Sequence, residues 1–452
     1  MSAEMSHEQC PRILVIHRIP FGEMIWGKSM TALFNGWPKE CLAQLYHENI
    51  EPISYSTCEN YFRLTGVDVV DANLKFSKAK GRIFCNSVSE QELDKSETHS
   101  TEKKVGKLGT YNTLTSNSAG TMAFARSLAW RKSKWTSQNL KDWLDDFRPQ
   151  AVFFYCSRLP FVHKIANWIC KQYDVPLFVY VMDDLTYDVS RDSSLFSRLF
   201  HRYYMKWFKK SVRHAKKVYT VSHEMMVEYK KKYSLDDVGI LFNSVSVDGD
   251  ITHDNFSRIP IRFIYAGNLY LDRWKVLCSL ADSLAELNNQ GYDMVLDIYS
   301  VTPPEDDMLN MLNRPPVSFY KGSLNQTELF EEISKSNVLV HVESFDEKNI
   351  DYARLSISTK ISDYLVSNRV ILAIGPKQVS STKHLDRHNA ALCIYSMNKD
   401  DIAANLKEKL FDENYRKQLL INARNVAIEN HDMQKIQAGI CEDFRAAVQS
   451  EQ

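Results

Sequence analysis

Short apolar runs alternate with helical patterns twice along this chain, and that alternation constrains the fold more than any other feature. RILVIHRIP (12–20), AVFFYC (151–156), VPLFVYVMDD (175–184), KVYTVS (217–222) and VGILFNSV (238–245) read as buried strands, and most are followed by a segment of helical periodicity. A polar stretch without helical pattern, SVDGDITHDNFSRIP (246–260), then intervenes. The alternation resumes with strands at IRFIYAG (261–267), MVLDIYS (294–300), VSFYKG (317–322), NVLVHVE (337–343) and VILAI (370–374). Strand–helix alternation predicts parallel, doubly wound sheets, because a helical crossover returns each strand in the same direction. At 452 residues the chain is too long for one ordinary core. The expected fold is α/β with two Rossmann-like domains across a cleft: 1–250, then 251–430, with a final helix at 431–452 returning to the first.

Composition narrows the possible partners. Lys+Arg and Asp+Glu balance at 56 each, which gives no global basic field for nucleic acid. Nine cysteines are scattered without a C-x-x-C pair or zinc spacing, as expected of reduced thiols in a cytoplasmic protein. No metal site is expected. The N-terminal apolar run is too short for a signal peptide, and no stretch approaches a transmembrane length, so any membrane contact is expected to be peripheral. Residues 87–120 are polar and read as a long surface loop.

Three constellations carry chemistry. Glu343 ends an apolar strand, and a carboxylate there lies on the ligand side of a parallel sheet. Ser358, Thr359 and Lys360 open the next helix, where unpaired N–H groups favour an anion, and Asp363 follows within it. An ordinary N-cap with surface charges explains the same residues. Gly267 and Asn268 follow the strand IRFIYAG, with Arg273 and Lys275 just beyond; two cations there suit a pyrophosphate, or are a solvated helix start. Gly322 and Leu324 follow the strand VSFY; a glycine there lets a planar base approach, though most such glycines are turns.

Taken together, G-N-L…R-W-K, F-Y-K-G-S-L and V-L-V-H-V-E-S-F…S-T-K-I-S-D-Y-L resemble the C-terminal domain of GT-B glycosyltransferases. The likeness is nearest to glycosyltransferase family 4, a retaining family common in surface-polysaccharide assembly. It covers about 170 residues of the second domain and is looser in the first. The resemblance implies a nucleotide-sugar co-substrate, no further cofactor and a glycan or lipid-linked acceptor. Arg273 and Lys275 would contact the donor diphosphate, and Gly322 and Leu324 would lie near the base. Glu343 would match the first acid of the family's E-x7-E motif, with Asp363 in the place of the second, on the ribose. The spacing from Glu343 to Asp363 is longer than the motif's, and the second acid is Asp. Two rival readings stand beside this one: a non-catalytic nucleotide-sugar or glycan binder on the same fold, and a sugar-nucleotide epimerase.

Smaller signals complete the reading. Asp248-Gly249-Asp250 is the one D-x-D in the chain and reads as a turn rather than a metal site. His17 and Arg18, the 21–29 loop, and Asp183 with Asp184 are candidates for the acceptor side. RLFHRYYMKWFKKSVRHAKK (198–217) interleaves eight Lys/Arg with aromatics. It suits either a helix on the inner, anionic face of a membrane or an amphipathic helix packed on the sheet, the second being favoured.

Overall fold

A computed structural model describes residues 10–22, 28–85, 127, 130, 134–187, 195–248, 256 and 259–450. The segment 87–120, most of the 21–29 loop and the second half of Asp248-Gly249-Asp250 lie outside the described residues. The chain divides into two compact units. The first holds residues up to Thr220, Met226–Leu241 and Gln437 onward; the second holds Val221–Met225 and Phe242–Ile436.

The first unit is built on an eight-stranded sheet: β1 (Ile13–His17), β2 (Leu42–Tyr46), β3 (Asn60–Arg63), β4 (Arg82–Cys85), β5 (Ala151–Tyr155), β6 (Leu177–Val181), β7 (Lys217–Thr220) and β8 (Val238–Ile240), in the order β4-β3-β2-β1-β5-β6-β7-β8. All neighbours are parallel except β3 and β4, which run antiparallel. β1, β2 and β6 are buried along their whole length, as strands covered by helices on both faces must be. Leu42–Tyr46 and the edge pair β3–β4 escape sequence reading because their apolar residues are too few to stand out from the surrounding loops.

The last helix, Met433–Ser450, closes this core: the Phe444 ring meets Phe178 at 4.6 Å and Trp37 at 5.9 Å. Lys217 and Tyr219 bind Asp443 on the same helix, at 2.8 and 2.5 Å. The basic-aromatic helix Leu195–His214 turns Phe200, Tyr204 and Phe208 into the core. Its Trp207 ring lies under the ammonium groups of Lys164 and Lys210, at 5.3 and 5.2 Å. Its large aromatics are thus mostly packed, and the charges form its outer face.

The second unit carries six parallel strands: β9 (Ile261–Ala266), β10 (Met294–Tyr299), β11 (Ser318–Tyr320), β12 (Val338–Val342), β13 (Val370–Ile374) and β14 (Leu392–Ile394), in the order β11-β10-β9-β12-β13-β14. Val340, Leu372 and Ile298 sit in one core with Leu277, Leu280 and Leu284 of the helix Arg273–Asn289. Chain order reverses between β9 and β12 here, and between β1 and β5 in the first unit. Such switch points leave a crevice at the strand C-termini because the flanking crossovers diverge to opposite sides.

Candidate functional site

The β9/β12 switch point gathers most of the charge-bearing residues that the sequence singles out. β9 runs into Gly267 and Asn268, and β12 into Glu343. The turn after β9 places Leu271 and Asp272 in left-handed conformations, φ 57° and 55°, before the helix starts at Arg273. Arg273 reaches Glu343: Nη2 and Nε donate to Oε2 at 2.8 and 3.2 Å, while Nη1 donates to Asn268 Oδ1 at 2.8 Å. Glu343 is 3% exposed. On the far side of the carboxylate, His341 Nε2 lies 3.3 Å from Oε1.

Burial alone would raise the Glu343 carboxyl; the Arg273 guanidinium and then His341 outweigh it and hold it at about 2. The carboxylate is therefore charged at any ordinary pH, and it is already engaged. Gly375, at the end of β13, allows this packing. A Cβ there would stand 3.0 Å from Glu343 Cβ and 3.0 Å from Thr382 Oγ1.

Lys360 is the second cation of the cluster. Its ammonium sits 4.5 Å from the centre of the Tyr265 ring and makes no hydrogen bond or ion pair among the described residues. A Cβ at Gly267 would fall 2.2 Å from Lys360 Nζ, so only glycine at 267 leaves the ammonium its place. Tyr265 in turn donates to the Asn268 carbonyl at 2.5 Å. Burial, then the like charge of Arg273, lower Lys360 to about 7 against the opposing pull of Glu343. A cation held this way is poised for an anion, since an incoming negative group offsets both causes of the shift.

The remaining expected residues stand apart from this cluster. Lys275 turns outward, 3.2 Å from Asp272, with half its side chain exposed. Thr359 is exposed and makes no side-chain cap, and the helix it precedes, Lys360–Leu365, is a single short piece. The Ser358 N–H donates to Ser381 Oγ at 3.0 Å. The cation of this stretch therefore acts from beside Tyr265 and Gly267 rather than from a capped helix start. Asp363 is half-buried on the same short helix. Gly322 and Leu324 follow β11, two strands along from β9; Gly322 has φ 82° and open space where a Cβ would point.

Sequence reasoning missed His341, Tyr265 and Gly375. The pattern H-V-E did hold a signal, since residues two apart on a strand share a face. The acid at the seven-residue spacing of the family motif is Asp351, exposed on the helix Glu347–Ala353. No cluster of three or more His, Cys, Asp or Glu side chains able to hold a metal occurs among the described residues.

The β1/β5 switch point holds an uncharged imidazole and a closed ion pair by contrast. His17, 3% exposed, donates from Nδ1 to the Ile19 carbonyl at 2.9 Å and meets the Tyr155 ring edge-on at 4.7 Å. That bond fixes the tautomer and leaves Nε2 as an acceptor. Burial lowers the imidazole to about 4, so it is uncharged at neutral pH. Arg18 pairs with Glu48 at 2.9 Å, and Asp184 accepts from Thr186 and Tyr229. Asp183 beside it is exposed.

Solved structures share this architecture over nearly the whole chain. Sucrose-phosphate synthase from Thermosynechococcus elongatus matches with a TM-score of 0.59 at 11% identity, covering 97% of this chain and 100% of its own. HepE from Anabaena, in complex with UDP-glucose, matches at 0.57 and 11%, covering 96% and 99%. The trehalose-6-phosphate synthase from Burkholderia multivorans matches at 0.57 and 10%, covering 98% and 100%. The fold is GT-B. No protein-family model matches the sequence, and no curated protein matches it either. No helix among the described residues is long and apolar enough to cross a membrane.

Proposed function

We propose that this protein is a retaining glycosyltransferase that moves a sugar from a nucleotide-sugar donor to a glycan or lipid-linked acceptor in cell-surface polysaccharide synthesis. One observation carries the reading: two cations, Arg273 and the unpaired Lys360, converge at the switch point of the second unit, beside a glycine where any side chain would displace the lysine ammonium. In the reaction the bond between the anomeric carbon and the diphosphate oxygen breaks, and the acceptor oxygen bonds to that carbon. The acceptor proton passes to the leaving diphosphate. Negative charge grows on that leaving group, and fixed cations in a water-poor site stabilise it without reorganising. Arg273 and Lys360 supply this charge, so the transfer calls on no metal. Glu343 holds Arg273 in place and faces the donor sugar from behind it. Asp363, Gly322 and Leu324 border the nucleoside.

The acceptor belongs to the first unit, near His17 and Asp183. The helix Leu195–His214 has no acidic residue, and its outer cations suit the inner, anionic face of a cytoplasmic membrane by charge alone. A second reading has one observation in its favour. Glu343 is spent on an internal ion pair, as in a protein that binds a nucleotide-sugar without turning it over.

A thermal-shift panel of UDP, GDP, dTDP, CMP and their common sugars tests the reading, with UDP first because HepE was solved with UDP-glucose. A ligand at about a hundred times its Kd adds about 2.7 kcal/mol. Stabilisation by one nucleotide, lost in Arg273→Met, supports the donor site; hydrolysis or transfer of its sugar separates enzyme from binder. No response to any nucleotide sinks both.

A further inference from the structure

The helix Gly66–Leu74 of the first unit presents an apolar stripe to solvent. Val67, Val70 and Leu74 are 66%, 48% and 74% exposed, and Phe76 just beyond is 95% exposed. The spacing of 67, 70 and 74 puts the first three on one helix face. The opposite face is anchored: Val69 and Ala72 are buried, and Thr65 with Asp68 forms a complete capping box.

Phe76 is unusual on two counts. It has φ 51°, a left-handed conformation that bulky side chains rarely adopt, at a helix C-terminus where glycine is the usual solution. The turn is fixed by backbone bonds, Lys75 N–H to the Asp71 carbonyl at 3.0 Å and Ser77 N–H to the Ala72 carbonyl at 2.9 Å. Folding thus gains nothing from this ring, neither conformationally nor by burial. Around it the chain is basic: Lys75, Lys78, Lys80 and Arg82 fall within 72–85, which contains no acid. Lys75 bonds Asp71 at 2.8 Å, and Arg82 lies 4.0 Å from Glu51, whereas Lys78 and Lys80 form no ion pair among the described residues.

We propose that this corner is a membrane-docking surface whose occupant is an anionic lipid bilayer, with Leu74 and Phe76 entering the headgroup–acyl boundary and Lys78 and Lys80 meeting lipid phosphates. Two protruding apolar tips flanked by unpaired lysines match that interface, where apolar burial and charge attraction act together. The helix Leu195–His214 also offers charge, but its apolar side chains protrude less: Leu195, Phe196 and Leu199 are 62%, 45% and 39% exposed against 95% for Phe76, and Phe200, Tyr204 and Phe208 are packed inside. The inference stands apart from the donor site and does not depend on it.

Co-sedimentation of the full chain with phosphatidylserine–phosphatidylcholine vesicles tests it. The wild type binds these vesicles, binds pure phosphatidylcholine far less, and releases at high salt. L74S/F76S weakens binding by about tenfold or more. K78E and K80E each weaken it about fivefold or more. Both sets keep the wild-type Tm and nucleotide response, so a failed fold is recognised. Absence of wild-type binding, or unchanged binding by L74S/F76S, overturns the proposal. So does a wild-type dimer that L74S/F76S makes monomeric in the absence of lipid, which would make the occupant a second copy. Loss of binding in K206E/K209E with full binding by L74S/F76S would move the surface to the other helix and equally overturn it.

Discussion

The two switch points of this molecule answer the same topology with opposite electrostatics. At β9/β12 the strand ends carry a buried Arg–Glu pair and a lysine without a counter-ion. At β1/β5 they carry a neutral imidazole, a tyrosine ring and an arginine already paired with Glu48. The sheets alone therefore do not decide what binds; the residues just past the strand ends do. A charged crevice with one cation unsatisfied suits an anionic ligand. One whose charges are paired and whose imidazole keeps an acceptor nitrogen suits hydroxyl groups, which need a hydrogen-bond acceptor rather than a counter-charge.

The largest effect expected from attacking this contrast is at Arg273. Arg273→Met should lower donor turnover about 10²- to 10³-fold through loss of charge on the leaving group. It should also destabilise the second unit by about 3–5 kcal/mol, because Glu343 is left buried and unpaired. Adding Glu343→Gln should restore much of the stability but none of the turnover, read by denaturation and donor hydrolysis on the same samples. If turnover survives in the double variant, the charge that matters lies elsewhere.

Next in size is Gly267→Ala. The added methyl displaces Lys360 Nζ, and loss of one charged contact should weaken nucleotide binding about tenfold or more, measured by calorimetry. His17→Gln should leave the same affinity unchanged. An equal loss in both variants would erase the distinction between the two crevices.

Arg273 and Gly267 mark how far the sequence can be read. Strand–helix alternation sufficed for the central strands of both sheets, since strands buried on both faces leave continuous apolar runs such as ILVIH and VLVHV, but not for β2, β3, β4 or the three-residue β14. The helix Gly66–Leu74 was illegible for another reason: its outward face is as apolar as its inward one. At the site, chain order pointed to Arg273, Glu343, Gly267 and Lys360, but nothing local could show that Lys275 turns outward. That depends on the helix phase set by the left-handed Leu271–Asp272 turn. Nor could sequence pair Gly267 with Lys360, which lie far apart along the chain and meet only through the β9–β12 contact.

pH gives a finer test. With Lys360 near 7, nucleotide affinity should fall as pH rises through that value and the ammonium loses its proton, and Lys360→Arg should flatten the profile. Stability carries the complementary sign. The unfolded lysine titrates near its ordinary 10.5, so between about 7 and 10.5 the unfolded chain binds the extra proton and stability rises with pH. Lys360→Met should therefore stabilise most at and below pH 7. A flat wild-type binding profile would mean that the ammonium does not meet the ligand.

The smallest effect belongs to Lys275→Ala. An exposed pair with Asp272 is worth about 0–1 kcal/mol, so both Tm and nucleotide affinity should barely move. A large loss of affinity would bring Lys275 back to the diphosphate.

The contact between Gly267 and Lys360 also has a consequence for descent. The two positions are coupled: a side chain at 267 pushes the ammonium from its place, and without a lysine at 360 the glycine has lost that purpose. Lineages that diverge from this chain should keep both or exchange both, so the two positions form one heritable unit. A descendant that has lost the pair would have given up this way of holding an anion, even with every strand still in place.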